Sequence, residues 1–416
     1  QAGDDRPYSI IKQPDFSRIL RNKGKNIPST WLDWENRREI KDIIFDPDYL
    51  NAERDGYLNL WQGFAYEPIE NPDKAMPFFK FISDVLCNGN HKSAHFFINW
   101  MADSIQNPTD KKGTAIVFTG VKRTGKTFFA ENFGKLFGEH FITITTKRHL
   151  VGNFNSHLEN KLLAFADEAK GLKAGSASAH LRAMVTGPDR IVESKGENAY
   201  SAPNHTRFII VSNDPSVIDA SDGEERFLVL EPSTKHQGDR DYFGSLKKSL
   251  EDGGYEALLY HLMYMPIDNP DALRNATPTN ALLKQKTANM RPVEEWWLEV
   301  LNCGYLTIQS EERLPWGETI PFSLLVDAYK EHCSNYRTEK SIETELGAFL
   351  SQFTLSCTQG IRENKKNGGK RTKEISKLET CRAEFDAYLG QPYPWEEPEL
   401  PEDPRITDII KAVKQN

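Results

Sequence analysis

Hydrophobic and polar positions follow different rhythms along this chain. Residues 1–74 hold no sustained period. Pro7, Pro14, Pro28, Pro47, Pro68 and Pro72 punctuate a polar stretch with strand-like pieces such as Tyr57-Leu58-Asn59-Leu60-Trp61, which predicts an irregular linker or a small β-element. Between residues 75 and 110, Phe78, Phe79, Ile82, Val85 and Leu86, then Phe96, Phe97, Trp100 and Met101, recur every three or four positions. That spacing predicts two helices broken at Asn88-Gly89-Asn90. From 111 to 235 the pattern becomes strand, loop, helix, strand. Thr114 to Thr119, Lys161 to Ala166 and Thr206 to Ser212 are short apolar runs that end in polar residues. Uniformly apolar strands alternating with helices predict an α/β fold with a mostly parallel sheet covered on both faces. Such sheets bind ligands at the carboxyl ends of their strands.

Residues 236–292 are mixed, with one helix predicted at Tyr255 to Met263. Residues 293–416 open with helical spacing through 352 (Trp296, Trp297, Val300, Leu301, then Leu324, Leu325, Tyr329). Two runs follow, Leu355 to Ile361 and Thr372 to Ile375, predicted as a hairpin across Asn367-Gly368-Gly369. Arg362, Lys365, Lys366, Lys370, Arg371, Lys373 and Lys377 make this the densest basic patch. Helices followed by a basic hairpin predict a small winged-helix-like domain whose wing touches a DNA backbone, or else a solvated loop. Leu378 to Phe385 reads as an amphipathic helix, and Gln391 to Pro404 as an extended tail.

Composition narrows the class. The 416 residues carry 52 basic and 60 acidic side chains, a formal charge of −8. That argues against a nonspecific cationic coat on nucleic acid but leaves room for a local basic channel. Hydrophobic residues make up 38 % and charged residues 27 %, as in a globular protein with real cores. No apolar run approaches the ~18 residues of a membrane span. The five cysteines are widely separated and form no CxxC knuckle, which predicts a reducing cytoplasm. The first residue is Gln1, which predicts a piece cut from something longer.

The chemistry concentrates after the predicted strands. Gly120-Val121-Lys122-Arg123-Thr124-Gly125-Lys126-Thr127 fits GxxxxGK[ST]. The glycines let the backbone turn its N–H groups toward an anion, and the following helix, predicted from Thr127 to Phe137, offers its positive end. Lys126 then neutralises the β- and γ-phosphates of ATP, and the Thr127 hydroxyl ligates Mg²⁺. The second strand ends in Asp167-Glu168. Asp167 is expected to hold the magnesium through water and Glu168 to polarise the attacking water, which favours hydrolysis over transfer to a metabolite. The third strand ends in Ser212-Asn213-Asp214, where Asn213 either senses the γ-phosphate or makes an ordinary turn. Arg226 precedes a further strand. It is either a surface ion pair or, in a ring, an arginine finger reaching a neighbour's γ-phosphate.

These features in this order resemble the superfamily 3 helicases of phages, plasmids and viruses, especially the helicase half of phage primase-helicases. The Walker A motif of that family maps on Gly120 to Thr127, Walker B on Asp167-Glu168 and motif C on Ser212-Asn213. The B′ motif, a β-hairpin with a basic tip on single-stranded DNA, fits Ile191-Val192-Glu193-Ser194-Lys195-Gly196. The resemblance implies that Lys195 and Gly196 contact DNA, whereas the residues alone read as a hairpin turn with an exposed lysine. His205 and Arg190 are weaker candidates. Asp55 to Phe64, Asn99 to Ala102 with Gln106-Asn107-Pro108, and Gly152 to Asn155 look like segments flanking these motifs in phage members. Where phage relatives often have two adjacent arginines before the last core strand, this chain has Glu225-Arg226, and Arg182 stands where the family often has a basic residue.

The resemblance implies an AAA+-type P-loop ATPase core at 111–235, a helical oligomerisation collar at 75–110 and a lid at 236–292. It also implies a homohexameric ring with ATP sites between subunits, 3′-to-5′ movement on single-stranded DNA, and a primase or polymerase domain upstream, in a phage or mobile element replicating in a bacterial cytoplasm. Two alternatives belong beside it. One is an ATPase that loads onto DNA without unwinding; the other is a nucleotide-gated switch on a binding domain. A small-molecule kinase would leave Asn213, Arg226 and Lys195 without a role.

Overall fold

The computed structural model describes residues 13–48, 55–152, 155–168, 172, 175–193, 198–214, 217–218, 225–308, 312–314, 319–333, 339–353, 357–359 and 372–396. The chain divides into two compact units, residues 1–62 and 63–416.

The first unit holds α1 (Gln13–Arg21), α2 (Ile27–Leu32) and a parallel pair of two-residue strands, β1 (Ile43–Ile44) and β2 (Leu58–Asn59). Phe16 of α1 meets Trp31 of α2 edge-on at 4.9 Å. The Asn59 side chain closes the loop before β1's partner, donating to the Asp46 carbonyl at 2.7 Å and accepting from Asp46 N at 3.1 Å.

The second unit opens with α3 (Pro72–Phe81), which runs on through a π turn at Ile82–Leu86, and α4 (His91–Gln106). The predicted break at Asn88-Gly89 is there, with φ of 49° and 74° at the two residues. Next come β3 (Ala115–Phe118), α5 (Lys126–Gly134), β4 (Phe141–Ile144), α6 (Lys147–Val151), β5 (Leu163–Ala166), α7 (Ser176–Thr186), β6 (Asp189–Val192), β7 (Tyr200–Pro203), β8 (Arg207–Val211) and β9 (Phe227–Leu230). The helix expected to reach Phe137 ends as α-helix at Gly134 and tightens into a 3₁₀ turn, Lys135–His140.

Five of these strands form one parallel sheet in the order β4-β5-β8-β3-β9. The first strand of the unit therefore sits between the last two, and the phosphate loop leaves from inside the sheet. Alternation along β3 sends its side chains to two cores. Ala115 and Val117 join a mostly aliphatic cluster with Leu181, Phe208, Ile210 and Val229. Phe118 joins an aromatic layer, 5.8 Å from both Phe97 of α4 and Phe129 of α5. α4 is held to the sheet by a fully buried ion pair, Arg207 to Asp103 at 2.8 Å, and Arg207 also donates to the carbonyls of Asn107 and Pro108. This explains the Asn99–Pro108 segment as a brace for the sheet. Its tryptophan, Trp100, donates to Thr114 O at 3.2 Å. Eleven of the sixteen residues of α4 are buried in this way, so the helices read as a collar belong in large part to the core of their own chain.

The rest of the unit comprises α8 (Arg240–Ser249), α9 (Tyr255–Tyr264), α10 (Asn280–Ala288), α11 (Pro292–Cys303), β10 (Leu306–Ile308), β11 (Glu312–Leu314), β12 (Thr319–Pro321), α12 (Phe322–His332), α13 (Glu339–Leu350), β13 (Cys357–Gln359), β14 (Thr372–Ile375) and α14 (Leu378–Leu389). The hairpin partners pair antiparallel as expected, Cys357 opposite Ile375. β12 adds a third strand, in the order β12-β14-β13. The stretch 293–352 is thus not purely helical. A second core of Trp296, Trp297, Tyr329, Phe349, Phe353 and Phe385 packs these elements. The basic residues Arg362, Lys365, Lys366, Lys370 and Arg371 lie outside the described residues, as does the tail beyond residue 396.

Candidate functional site

The site is built where β3, β5, β8 and β9 end. After Phe118 the chain turns at Gly120 (φ 89°) and at Gly125 (φ 94°), backbone that glycine adopts at no steric cost. Between them Arg123 takes φ 63°, uncommon for a residue with a side chain. The loop is framed from outside: Gly238 N donates to Arg123 O at 2.9 Å, and Gln237 Nε2 to Lys122 O at 3.1 Å. Lys126 opens α5 with its ammonium turned back over the loop. Nζ donates to Gly120 O at 2.6 Å and Val121 O at 2.7 Å and stands 3.5 Å from Asn213 Oδ1. The lysine is 5 % exposed. Burial pulls its pKa down to about 8, against the pull of Asp167 and Glu231, which favour the charged form.

The strand tips complete the site. Asp167 follows β5, its N–H donating to Ile144 O, and its Oδ1 accepts from Glu168 N at 3.0 Å. Glu168 takes φ 50°, so two of the four described non-glycine residues with positive φ belong to this site. Its carboxylate stands 3.8 Å from Lys122 Nζ. Beyond β8, Ser212 is buried and Asn213 is exposed toward the cavity. The result is a cavity of about 670 Å³ that Lys122 to Phe128, Asp167, Glu168 and Asn213 line together. Residues assigned from three separate segments of sequence therefore share one space.

Sequence reading missed two contributors. Glu231, just past β9, packs against Gly120; a Cβ there would come within 3.1 Å of Glu231 Cγ. The far wall comes from α8, with Arg240, Phe243, Gly244 and Lys247. A polar helix with one buried leucine, Leu246, gave little sign of this.

The donors present suit a triphosphate with Mg²⁺. Cationic Lys126 lies over the glycine-flanked loop, and the Thr127 hydroxyl and Asp167 carboxylate that line the same cavity are hard oxygen donors. Among the described residues no group of three His, Cys, Asp or Glu side chains is placed to hold a metal alone. An ion bound here would depend on phosphate oxygens and water, the usual situation for Mg²⁺.

Arg226 lies elsewhere. β9 runs parallel to β3, with Ala115 opposite Phe227 and Phe118 opposite Leu230. Arg226 therefore stands at the amino edge of the sheet, about 16 Å along the strand from Glu231 at the carboxyl edge. It lines a separate pocket of about 320 Å³ with Lys111, Lys112, Glu225 and Arg274. Lys111 donates to Met184 O at 2.8 Å, and burial beside Arg190 and Arg207 pulls its pKa down to about 7.

The hairpin expected between the acidic pair and Asn213 is formed by β6 and β7, with Val192 opposite Tyr200. Lys195 and Gly196 lie outside the described residues. Asn155 braces the hairpin, donating to Ile191 O at 2.7 Å and accepting from Glu193 N at 3.1 Å. Arg190 is committed to the protein. It donates to Thr206 Oγ1 at 3.0 Å and Leu158 O at 2.7 Å. His205 faces Thr109 O at 3.2 Å, and Arg182 is carried on α7.

Comparison with known proteins gives three findings. Residues 118–226 match a sequence family described as "Family of unknown function (DUF5906)". A "DNA Primase-polymerase" of Nitratiruptor phage NrS-1 is 29 % identical over 228 residues, which is 48 % of this chain and 31 % of the relative. The chain thus spans about a third of that protein's length. Among solved structures, "The apo structure of NrS-1 C terminal region (305-718)" superposes with a TM-score of 0.64 at 19 % identity, covering 90 % of this chain and 92 % of that one. An A-form apo structure of the same region gives 0.63 at 17 % identity. The matched family segment runs from the end of β3 to Arg226 and so contains the phosphate loop, the acidic pair, the hairpin and Asn213. The chain is similar in sequence to part of a phage primase-polymerase, and its α/β fold is that of the NrS-1 C-terminal region.

Proposed function

We propose that this chain is the ATP-driven motor of a phage or mobile-element replication protein, a DNA helicase of the superfamily 3 type. It works as a homohexameric ring on single-stranded DNA in the bacterial cytoplasm, moves 3′ to 5′, and follows a primase or polymerase domain in the longer protein. One observation carries the reading: Lys126, Asp167, Glu168 and Asn213 meet in one cavity at the carboxyl edge of a parallel sheet. The similarity to a phage primase-polymerase supports the setting.

Each side chain has a task. The Gly120–Thr127 backbone and Lys126 bind the β- and γ-phosphates of ATP. Thr127 and Asp167 would hold Mg²⁺, Asp167 through water, and the ion would supply charge neutralisation. Glu168 accepts the proton of the attacking water, and Asn213 holds that water in line with the γ-phosphate. Arg226 is on the wrong edge to serve its own cavity, so it serves a neighbouring copy's, where it stabilises the charge of the transition state. Lys195 and Gly196, which fall between β6 and β7 in the sequence, contact the DNA backbone.

Strand displacement on two partial duplexes, one with a 3′ and one with a 5′ single-stranded tail, tests this with ATP and Mg²⁺. Displacement from the 3′-tailed duplex alone, lost in Lys126→Ala, is the expected result. Rapid ATP turnover without displacement of either duplex would replace the helicase with a loader. Slow turnover unaffected by DNA would replace it with a nucleotide-gated switch.

A further inference from the structure

One helix builds the wall of the cavity that faces the phosphate loop. Arg240, Phe243, Gly244 and Lys247 of α8 all line it, at spacing i, i+3, i+4, i+7, which is one helical face. The helix is fixed in that orientation. Asp239 caps it, accepting from Tyr242 N at 3.0 Å, and its other carboxylate oxygen faces His236 Nδ1 at 3.0 Å. Leu246, three residues after Phe243, is buried and anchors the helix. The Phe243 ring packs 5.4 Å from Phe128 and 6.0 Å from Phe81. It lies so close to the phosphate loop that a Cβ on Gly125 would come within 2.8 Å of it.

Gly244 is the informative residue. Glycine inside a helix weakens it, and here neighbouring atoms give no reason for its presence: a Cβ at 244 would meet nothing within 4 Å. The position opens on the cavity, beside an aromatic ring, with one cation a turn before it and another a turn after.

We infer that this face of α8 is the nucleobase wall of the site. Phe243 stacks on the base, Gly244 leaves the room the base occupies, and Arg240 and Lys247 flank it with positive charge for the triphosphate. The ligand class is a nucleoside triphosphate. Stacking on an apolar ring reads the face of a base, which every base has, and the stripe carries no amide or hydroxyl to read its edge. Adenine and guanine are therefore accepted alike. The inference rests on the proposed reading of the cavity as a nucleotide site.

Calorimetric titration of the chain with MgATP, MgGTP and magnesium tripolyphosphate tests it. The wild type is expected to bind the two nucleotides within about fivefold of each other and more tightly than tripolyphosphate. Phe243→Ala and Gly244→Leu are each expected to weaken both nucleotides about tenfold and leave tripolyphosphate unchanged. Retained tripolyphosphate binding also reports that the variants are folded. MgATP binding by Gly244→Leu equal to that of the wild type overturns the inference and leaves the phosphate site standing. So does a wild type that holds tripolyphosphate as tightly as ATP. A strong preference between ATP and GTP overturns the claim that the edge is unread. A wild type that binds none of the three overturns the nucleotide reading itself, and this inference with it.

Discussion

The two edges of the parallel sheet carry different chemistry, although the same strands make both. At the carboxyl edge, cationic Lys126 meets the carboxylates of Asp167 and Glu168, with Asn213 beside them. At the amino edge, Lys111, Lys112, Arg226 and Arg274 share a pocket with one carboxylate, Glu225. An edge with both signs can hold a phosphate chain and its metal. At the amino edge the cations are partly matched within the chain, Lys112 by Asp110 at 2.5 Å and Arg274 by Asp271 at 3.2 Å, and no metal-binding cradle forms among the described residues. Burial, with Arg190 and Arg207 nearby, drives Lys111 down to about 7. The difference teaches that Arg226 and the phosphate loop lie at opposite edges within one copy, so the proposed pairing of the two requires a second copy.

Substitutions at the two edges should separate binding from chemistry. Lys126→Ala has the largest expected effect, a loss of roughly 10³-fold or more in phosphate release from MgATP together with weakened binding. A variant that kept a tenth of wild-type turnover would place the chemistry outside the carboxyl edge. Arg226→Ala should lose about 10³-fold in turnover while nucleotide affinity stays within about threefold. Collapse of affinity in that variant would break the comparison, because it would mean that Arg226 serves its own cavity. Glu168→Gln should cost about 10²-fold in turnover, again with nucleotide retained.

A pH series sharpens the same contrast. Burial sets Lys126 at about 8, so its ammonium is intact at pH 7 and is lost as pH rises through 8. Phosphates favour the charged form, so nucleotide affinity should be flat below pH 7 and fall toward pH 9, with proton uptake on binding in calorimetry. The unfolded chain keeps its lysines protonated to about 10.4. Between these values the unfolded state binds more protons, and the free protein should therefore gain stability as pH rises from 8 to 10. The smallest effect expected is at Gly244. Exchange for alanine should raise stability by about 1 kcal/mol in thermal unfolding, since the added methyl meets no neighbour. Destabilisation there would mean that α8 does not stand as described.

What the sequence disclosed follows burial. β3, β5 and β8 are legible because parallel strands covered on both faces are uniformly apolar, and their polar ends name Gly120, Asp167 and Asn213. β4 is an edge strand, half-buried at Phe141 and Ile142 and exposed at Thr143, and gives no such run. The strands β10 to β12 are three residues each, too short to show a period, so they vanish into a stretch that reads as helix. Arg190 looked like a hairpin cation available to DNA, but a residue's identity does not say which way its guanidinium turns, and here it turns inward onto Thr206 and Leu158. α8 was illegible for a related reason. Its cavity-lining face is a mixture of cations, a ring and a glycine, and only the fold reveals that all four border the same space as Lys126.

The central claim is that the amino edge of one copy completes the carboxyl-edge cavity of another. The most direct measurement mixes two inactive variants, Lys126→Ala and Arg226→Ala, in equal amounts and follows ATP hydrolysis. The first retains Arg226 and the second retains the phosphate loop, so neighbouring copies of unlike kind form complete sites. Random assembly in a ring should restore roughly a quarter of wild-type turnover. A mixture no more active than the average of its two components would contradict the account.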